Sequence, residues 1–164
     1  MTRVVPFTEA DLDVLARTLY GEARGEPLEG LLAVAWVVCN RVKADTWYGR
    51  TVSEVCLRHQ GKTWQFSCWS PDDPNSVLLK KLDVTIPAFA RCYGAAALVL
   101  CGEFADHTGG ATNYHTIQAP KWAKSWPPSW APKMQETERI HRHVFYRESA
   151  IPVDDHVRKS VAEG

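Results

Sequence analysis

The stretch Leu15-Ala16-Arg17-Thr18-Leu19-Tyr20-Gly21-Glu22-Ala23-Arg24-Gly25-Glu26-Pro27-Leu28-Glu29-Gly30 joins two apolar, periodic segments through a short carboxylate block bracketed by glycines. Upstream, Thr8 stands as an N-cap three residues before Asp11. Leu12, Leu15, Ala16 and Leu19 then recur at helical spacing, which predicts a helix over about residues 9 to 20. Gly21 and Gly25 suit a helix end, and this puts Glu22 at a junction between helices. Downstream, Pro27 fits the first position of a second helix, and Glu26 and Glu29 favour its positive N-terminal end. Leu28, Leu31, Leu32, Ala35, Val38 and Val42 supply a buried stripe, and because Ala33, Val34, Trp36 and Val37 are also apolar, this helix is expected to be central. Arg41 and Lys43 suit its C-terminal end. A carboxyl group between apolar helices is partly shielded from water, so its pKa rises toward the range a general acid needs. On the residues alone the competing explanation is a solvated loop pair of Glu22 and Arg24.

The rest of the chain reads as more helices and a late extended part. Thr51-Val52-Ser53-Glu54 matches a capping box and predicts a short helix over about 52 to 59. Trp64-Gln65-Phe66-Ser67-Cys68-Trp69 is too short to assign by periodicity and is placed on an ordered loop, followed by a turn at Ser70-Pro71-Asp72-Asp73-Pro74-Asn75. Pro87 opens an apolar helix that closes near Gly102, with a weaker helical stretch at 77 to 82. After Asp106 an extended piece at 111 to 115 is expected to pair with a second at 140 to 147. Between them lies a tryptophan-rich loop whose Pro127 and Pro128 forbid a helix. The fold class is therefore α+β, mainly helical: a single domain over 1–150 with a small β-hairpin or sheet, and a loosely held tail over 151–164.

Composition removes several function classes. Nineteen Lys and Arg against nineteen Asp and Glu leave no net charge, so no diffuse positive field is available for nucleic acid or an anionic membrane. The longest apolar run, Leu31 to Cys39, is half of what a spanning helix requires, and the N-terminus lacks an apolar signal core. A cytoplasmic product with no stable membrane association is expected, most simply a monomer. Five cysteines without C-x-x-C spacing argue against a disulfide framework or zinc knuckle, and most are read as small buried hydrophobes. Seven tryptophans in 164 residues are many, and packing or a ligand has to account for them.

The block from Leu15 to Gly30, with Ala33-Val34-Ala35 and Asn40-Arg41-Val42, resembles the opening signature of the SleB-type cell wall hydrolases, a family of spore cortex-lytic enzymes and phage lysins. Gln65-Phe66-Ser67-Cys68-Trp69, Thr108-Gly109-Gly110-Ala111-Thr112-Asn113-Tyr114-His115 and His143-Val144-Phe145-Tyr146-Arg147 agree with it in order and spacing, so the resemblance covers about residues 10 to 147. It implies a lysozyme-like domain that cuts peptidoglycan glycan strands between N-acetylmuramic acid and N-acetylglucosamine, with Glu22 as the catalytic acid. No convincing second carboxylate accompanies Glu22: Glu26 and Glu29 are assigned to the next helix, and Asp72 and Asp73 to a solvated turn. A lytic transglycosylase giving 1,6-anhydro products is therefore favoured over a hydrolytic muramidase. The missing export signal points to an endolysin released through a holin. His141 departs from the family, standing where glycine is common.

Substrate contacts are sought among Gln65 and Ser67, which share one side of an extended loop, and Thr112 and Tyr114, which share one strand face. Trp69 and Trp122 are candidates for stacking on sugars, whereas Trp36 belongs to the core. No cofactor or resident metal is expected. A zinc amidase or peptidase built on His59, Cys68, His107, His115, His141 and His143 is a rival with a weak pattern. A Trp-rich, non-catalytic wall-binding module is a second rival.

Overall fold

The computed structural model describes residues 3–149. The expectation of a loose tail at 151–164 lies outside them. Helix α1 (Glu9–Ala23) starts at a complete capping box, with the Thr8 hydroxyl accepting from the Asp11 amide and the Asp11 carboxylate accepting from the Thr8 amide. The other Asp11 oxygen accepts from the amide of Ser53 at 3.0 Å, so one side chain ties the start of α1 to the start of α3 (Val52–Cys56). Burial alone would raise the Asp11 carboxyl, but hydrogen bonds from Ser53 and Thr8 outweigh it and hold the group below the usual range.

Helix α1 does not end at Gly21, as its glycine suggested. It continues to Ala23, which places Glu22 in its last turn instead of at a junction. The reason is packing: a Cβ at Gly21 would lie 2.5 Å from the Cβ of Cys68, so the glycine makes room for a neighbouring loop and does not terminate the helix. Helix α2 (Leu28–Ala44) begins one residue later than expected, with Pro27 as its extended N-cap. Every residue from Leu31 to Cys39 is buried, as a central helix requires. Helix α5 (Pro87–Leu100) packs against α1 and α2, and Val4 to Leu100 closes the layer through a backbone bond of 3.3 Å.

Two corrections concern the shorter elements. Helix α3 stops at Cys56 because the chain turns into a two-residue-per-strand hairpin, β1 (His59–Gln60) and β2 (Thr63–Trp64), around Gly61 at φ 59°. The weaker helical stretch is α4 (Asn75–Leu79), two residues ahead of its expected start.

The late sheet has three strands in the order β3-β5-β4, all antiparallel. Strand β3 (Asn113–Thr116) pairs with β5 (His143–Arg147) in the register Tyr114 with Phe145 and Thr116 with His143. Strand β4 (Gln135–Ile140) was not foreseen, and Ile140 belongs to it and not to the last strand. It is a polar edge strand with mostly exposed residues and a bulge between Glu136 and Glu138, so it carries no alternating signal. Phe145 and Ala111 pack on Ala33 and Val37 of α2, fixing the sheet to the helical layer. The cysteines are free, and Cys39, Cys56, Cys68 and Cys92 are buried, as their reading as small hydrophobes requires. Trp36 is buried with its Nε1 donating to the Phe104 carbonyl at 3.1 Å.

Candidate active site

Glu22 sits where the end of α1, the 3₁₀ turn Ser67–Trp69 and strand β3 converge. Burial raises its carboxyl above the ordinary carboxylate range. The side chain and backbone of Cys68, and the Tyr114 hydroxyl that donates to Oε2 at 3.2 Å, pull in the opposite direction, and the negative charge of Asp73 adds to the rise. Burial likewise pushes the phenol of Tyr114 and the thiol of Cys68 well up, so both stay protonated beside Glu22. The result is a carboxylic acid in a poorly solvated seat, held by neutral groups and, among the described residues, with no cation bonded to it.

Tyr114 is positioned in turn. Its ring packs edge-on to His143 at 5.1 Å and tilted on Phe145 at 5.7 Å, its cross-strand partner. Beneath it Arg41 of α2 is buried, with Nε donating to the Thr112 carbonyl at 2.6 Å and its guanidinium over the rings of Tyr48 and Phe66. Arg41 was assigned to the helix end as a charge for the dipole, but it fastens the β3 strand to α2.

Glu26 has a different role from the helix-end charge expected of it. It is buried before α2 begins, and Gly30 admits it, since a Cβ there would come within 2.7 Å of the Glu26 Cβ. Its Oε2 meets Nδ1 of His141, and Oε1 lies 3.7 Å from Nδ1 of buried His143. Asp73 also departs from the solvated turn expected of it: it is half-buried and closes the turn ahead of α4 by accepting from the Asn75 amide at 2.7 Å.

The proposed substrate contacts divide. Tyr114 reaches Glu22, whereas Thr112 on the same face is buried and donates to Asn113 Oδ1 at 3.0 Å. The opposite face carries Asn113, bonded to Tyr48, and His115, bonded to Tyr146. Gln65 and Ser67 both face outward, while Phe66 and Cys68 face in. Ser67 opens a 3₁₀ turn where an extended loop was expected, and Gln65 lines a separate pocket with Trp47 and Arg58. Cys68, the inward neighbour, touches Glu22. The same alternation that set Gln65 and Ser67 on one side implied this, had it been followed to the other side. Trp69 is half-buried against the core, its Nε1 donating to Thr18 Oγ1 at 3.0 Å. Trp122 is 80% exposed and meets Trp126 edge-on at 6.3 Å.

The histidines do not assemble around one point. His59 stacks on Trp64, His107 leans on Phe104, and His115 lies among Trp126, Trp130 and Tyr146. Among the described residues no group of three or more His, Cys, Asp or Glu side chains is placed to hold a metal ion.

A mainly helical α+β domain with a half-buried carboxylic acid, raised by its poor solvation, at the meeting of a helix end and a small sheet defines a lysozyme-like domain. The cell wall hydrolase family model matches residues 25–146, and the chain belongs to that family. Glu22 lies three residues ahead of that matched span. A spore cortex-lytic enzyme of Halalkalibacterium halodurans is 29% identical over 147 residues, 85% of this chain and 35% of that protein. One of Bacillus subtilis is 50% identical over 38 residues, 23% of this chain and 12% of that protein. The chain thus spans about a third or less of the curated relatives it matches. Among solved structures, the catalytic domain of the germination-specific lytic transglycosylase SleB from Bacillus anthracis superposes with a TM-score of 0.63 at 27% identity, covering 87% of this chain and 100% of that one. The catalytic domain of Bacillus cereus SleB shares the fold with the same TM-score at 24% identity, over 90% of this chain and 98% of that one. No helix among the described residues is long and apolar enough to cross a membrane.

Proposed function

We propose that the chain cleaves peptidoglycan glycan strands between N-acetylmuramic acid and N-acetylglucosamine as a lytic transglycosylase, with Glu22 as both acid and base. The observation that carries the reading is the raised carboxyl of half-buried Glu22, which accepts from Tyr114. A protonated Glu22 gives its proton to the glycosidic oxygen as the bond to the muramic C1 breaks and positive charge builds on the sugar. The muramic C6 hydroxyl then bonds to C1, its proton passes to the Glu22 carboxylate, and a 1,6-anhydro ring is left with the acid restored.

The neighbouring carboxylates bear on the choice between intramolecular capture and water attack. Glu26 is engaged by His141, and one oxygen of Asp73 accepts from the Asn75 amide, which leaves Asp73 as the only nearby candidate among these two for the second carboxylate that hydrolysis by the two-carboxylate route needs. The Bacillus anthracis neighbour, a germination-specific lytic transglycosylase, supports intramolecular capture. A hydrolytic muramidase that routes water through Asp73 is the second reading, favoured by the field Asp73 exerts on Glu22. Mass spectrometry of digested peptidoglycan tests the choice: anhydro-muramic termini are expected, and reducing-end muramic acid would assign the hydrolytic route. The endolysin role belongs to the same proposal, and equal digestion of vegetative walls and spore cortex supports it, whereas cutting of cortex alone opposes it.

A further inference from the structure

We infer that the pocket at the end of strand β3 is a subsite for the carboxylate-bearing 3-O-lactyl arm of the muramic acid beside the scissile bond. The inference rests on the proposed action on glycan strands and names the part of the substrate that the site selects.

The pocket has a volume of about 560 Å³ and is lined by Thr116 to Lys121 together with His141 and Arg142 of the turn between β4 and β5. Its position ties it to Glu22. Thr116 lies two residues beyond Tyr114 on β3, so it shares a face with the residue that holds the acid and stands about 7 Å further along the strand. A second route is continuous through side chains: Glu22 to Tyr114, Tyr114 to His143, His143 to Glu26, and Glu26 to His141 at the pocket wall.

Its chemistry suits an anion carried on a small apolar arm. Lys121, Arg142 and His141 line it, and among the described residues no carboxylate does. In a chain with no net charge this is a local segregation, and the contrast is visible in the groove beside α2, where Glu29, Asp106 and Glu138 gather. Nδ1 of His141 is met by Glu26, while Lys121 and Arg142 form no ion pair among the described residues. Exposed Ile117, with Ala119 and Pro120, provides an apolar wall for a lactyl or alanyl methyl group.

Ile140 pairs with His143, so His141 and Arg142 are the two central residues of the β4–β5 hairpin, and His141 takes the positive φ of 52° that such a turn asks of its first position. Glu26 meets Nδ1 of the ring. The second ring nitrogen has no hydrogen-bond partner among the described residues, and the side chain is 42% exposed at the pocket wall. The hairpin turn therefore brings an imidazole anchored by Glu26 and Arg142 to one pocket, and both residue types suit a carboxylate.

The carboxylate has two sources, the lactyl group itself in stem-free strands and the acidic residues of the peptide stem in substituted ones. The test compares three preparations of the same glycan strands: stems intact, stems removed by an amidase, and stem-free strands whose lactyl carboxylates have been converted to amides. The intact enzyme is expected to show a KM about tenfold lower on at least one carboxylate-bearing form than on the amidated form, and the form preferred identifies the source. The Lys121→Gln/Arg142→Gln double variant is expected to lose this preference, and because the readout is a ratio between substrates, partial misfolding does not mimic it. Binding of a muramic-containing tetrasaccharide to Glu22→Gln, with and without the double substitution, provides a measure independent of turnover and is expected to weaken about tenfold. Equal KM values for all three forms, or a preference that survives the double substitution, would overturn the subsite. Absence of any cleavage by the unsubstituted enzyme would instead overturn the proposed function.

Discussion

Glu22 and Glu26 are four residues apart in one short block, and their surroundings differ in kind. Glu22 ends a helix among neutral groups, a thiol, a phenol and apolar helices, and burial drives its carboxyl up. Glu26 begins the next segment facing two histidines, one of them directly against its Oε2. The difference teaches that position in a motif does not give a carboxylate its chemistry; the partners supplied by the loop and the sheet do. In the proposed mechanism the first glutamate gives the proton, while the second meets His141 of the β4–β5 turn.

Each substitution that separates the two tests this contrast. The largest effect is expected for Glu22→Gln, which removes the proton donor and should lower the rate of strand cleavage about a thousandfold, followed by release of soluble fragments from purified walls. The same variant should unfold at a higher temperature than the parent at neutral pH. A carboxyl whose folded pKa is raised leaves stability whole below its unfolded pKa and subtracts from it as pH rises, and the amide removes that subtraction. Glu26→Ala should leave Nδ1 of His141 without its acceptor and open a gap beside buried His143, lowering stability by about 1–3 kcal/mol in urea melts while the folded fraction keeps activity within about tenfold of the parent. Loss of cleavage as complete as in Glu22→Gln would erase the distinction.

Smaller effects sharpen it. Gly21→Ala should cost about 1–3 kcal/mol despite alanine's better helix propensity, because the new methyl meets Cys68. Tyr114→Phe should lower kcat about tenfold and move the alkaline limb of the pH–rate profile upward. The sign follows from the hydrogen bond: the hydroxyl favours the charged form of Glu22, so its removal raises the carboxyl further and extends the protonated range.

The helical layer was legible because its cues are local. Thr8 with Asp11, the unbroken apolar run of α2 and Pro87 at the head of α5 each state their element within a few residues. Glu22 was singled out by the resemblance of its block to the family signature, whereas the local cues set it at a junction and left a solvated pair with Arg24 open; it lies in the last turn of α1. What stayed hidden depends on partners far away in the chain. Gly21 reads as a helix end until Cys68 is brought against it, and Glu26 reads as a helix-dipole charge until the β4–β5 turn, more than a hundred residues on, delivers His141. Strand β4 carries no alternation because it is a polar edge, held only by β5 on one side. The tryptophans follow the same rule: Trp36 was placed by its helix, but Trp69 was anchored by Thr18 of α1, a partner no local pattern names.

The most direct measurement is a pH titration of the side-chain carboxyl carbons in ¹³C-glutamate-labelled protein, with the Glu22 resonance assigned by its disappearance in Glu22→Gln. Titration of Glu22 clearly above the ordinary carboxylate range is the predicted result. A Glu22 that ionises at or below that range would contradict the claim that burial at the end of α1 makes it the proton donor.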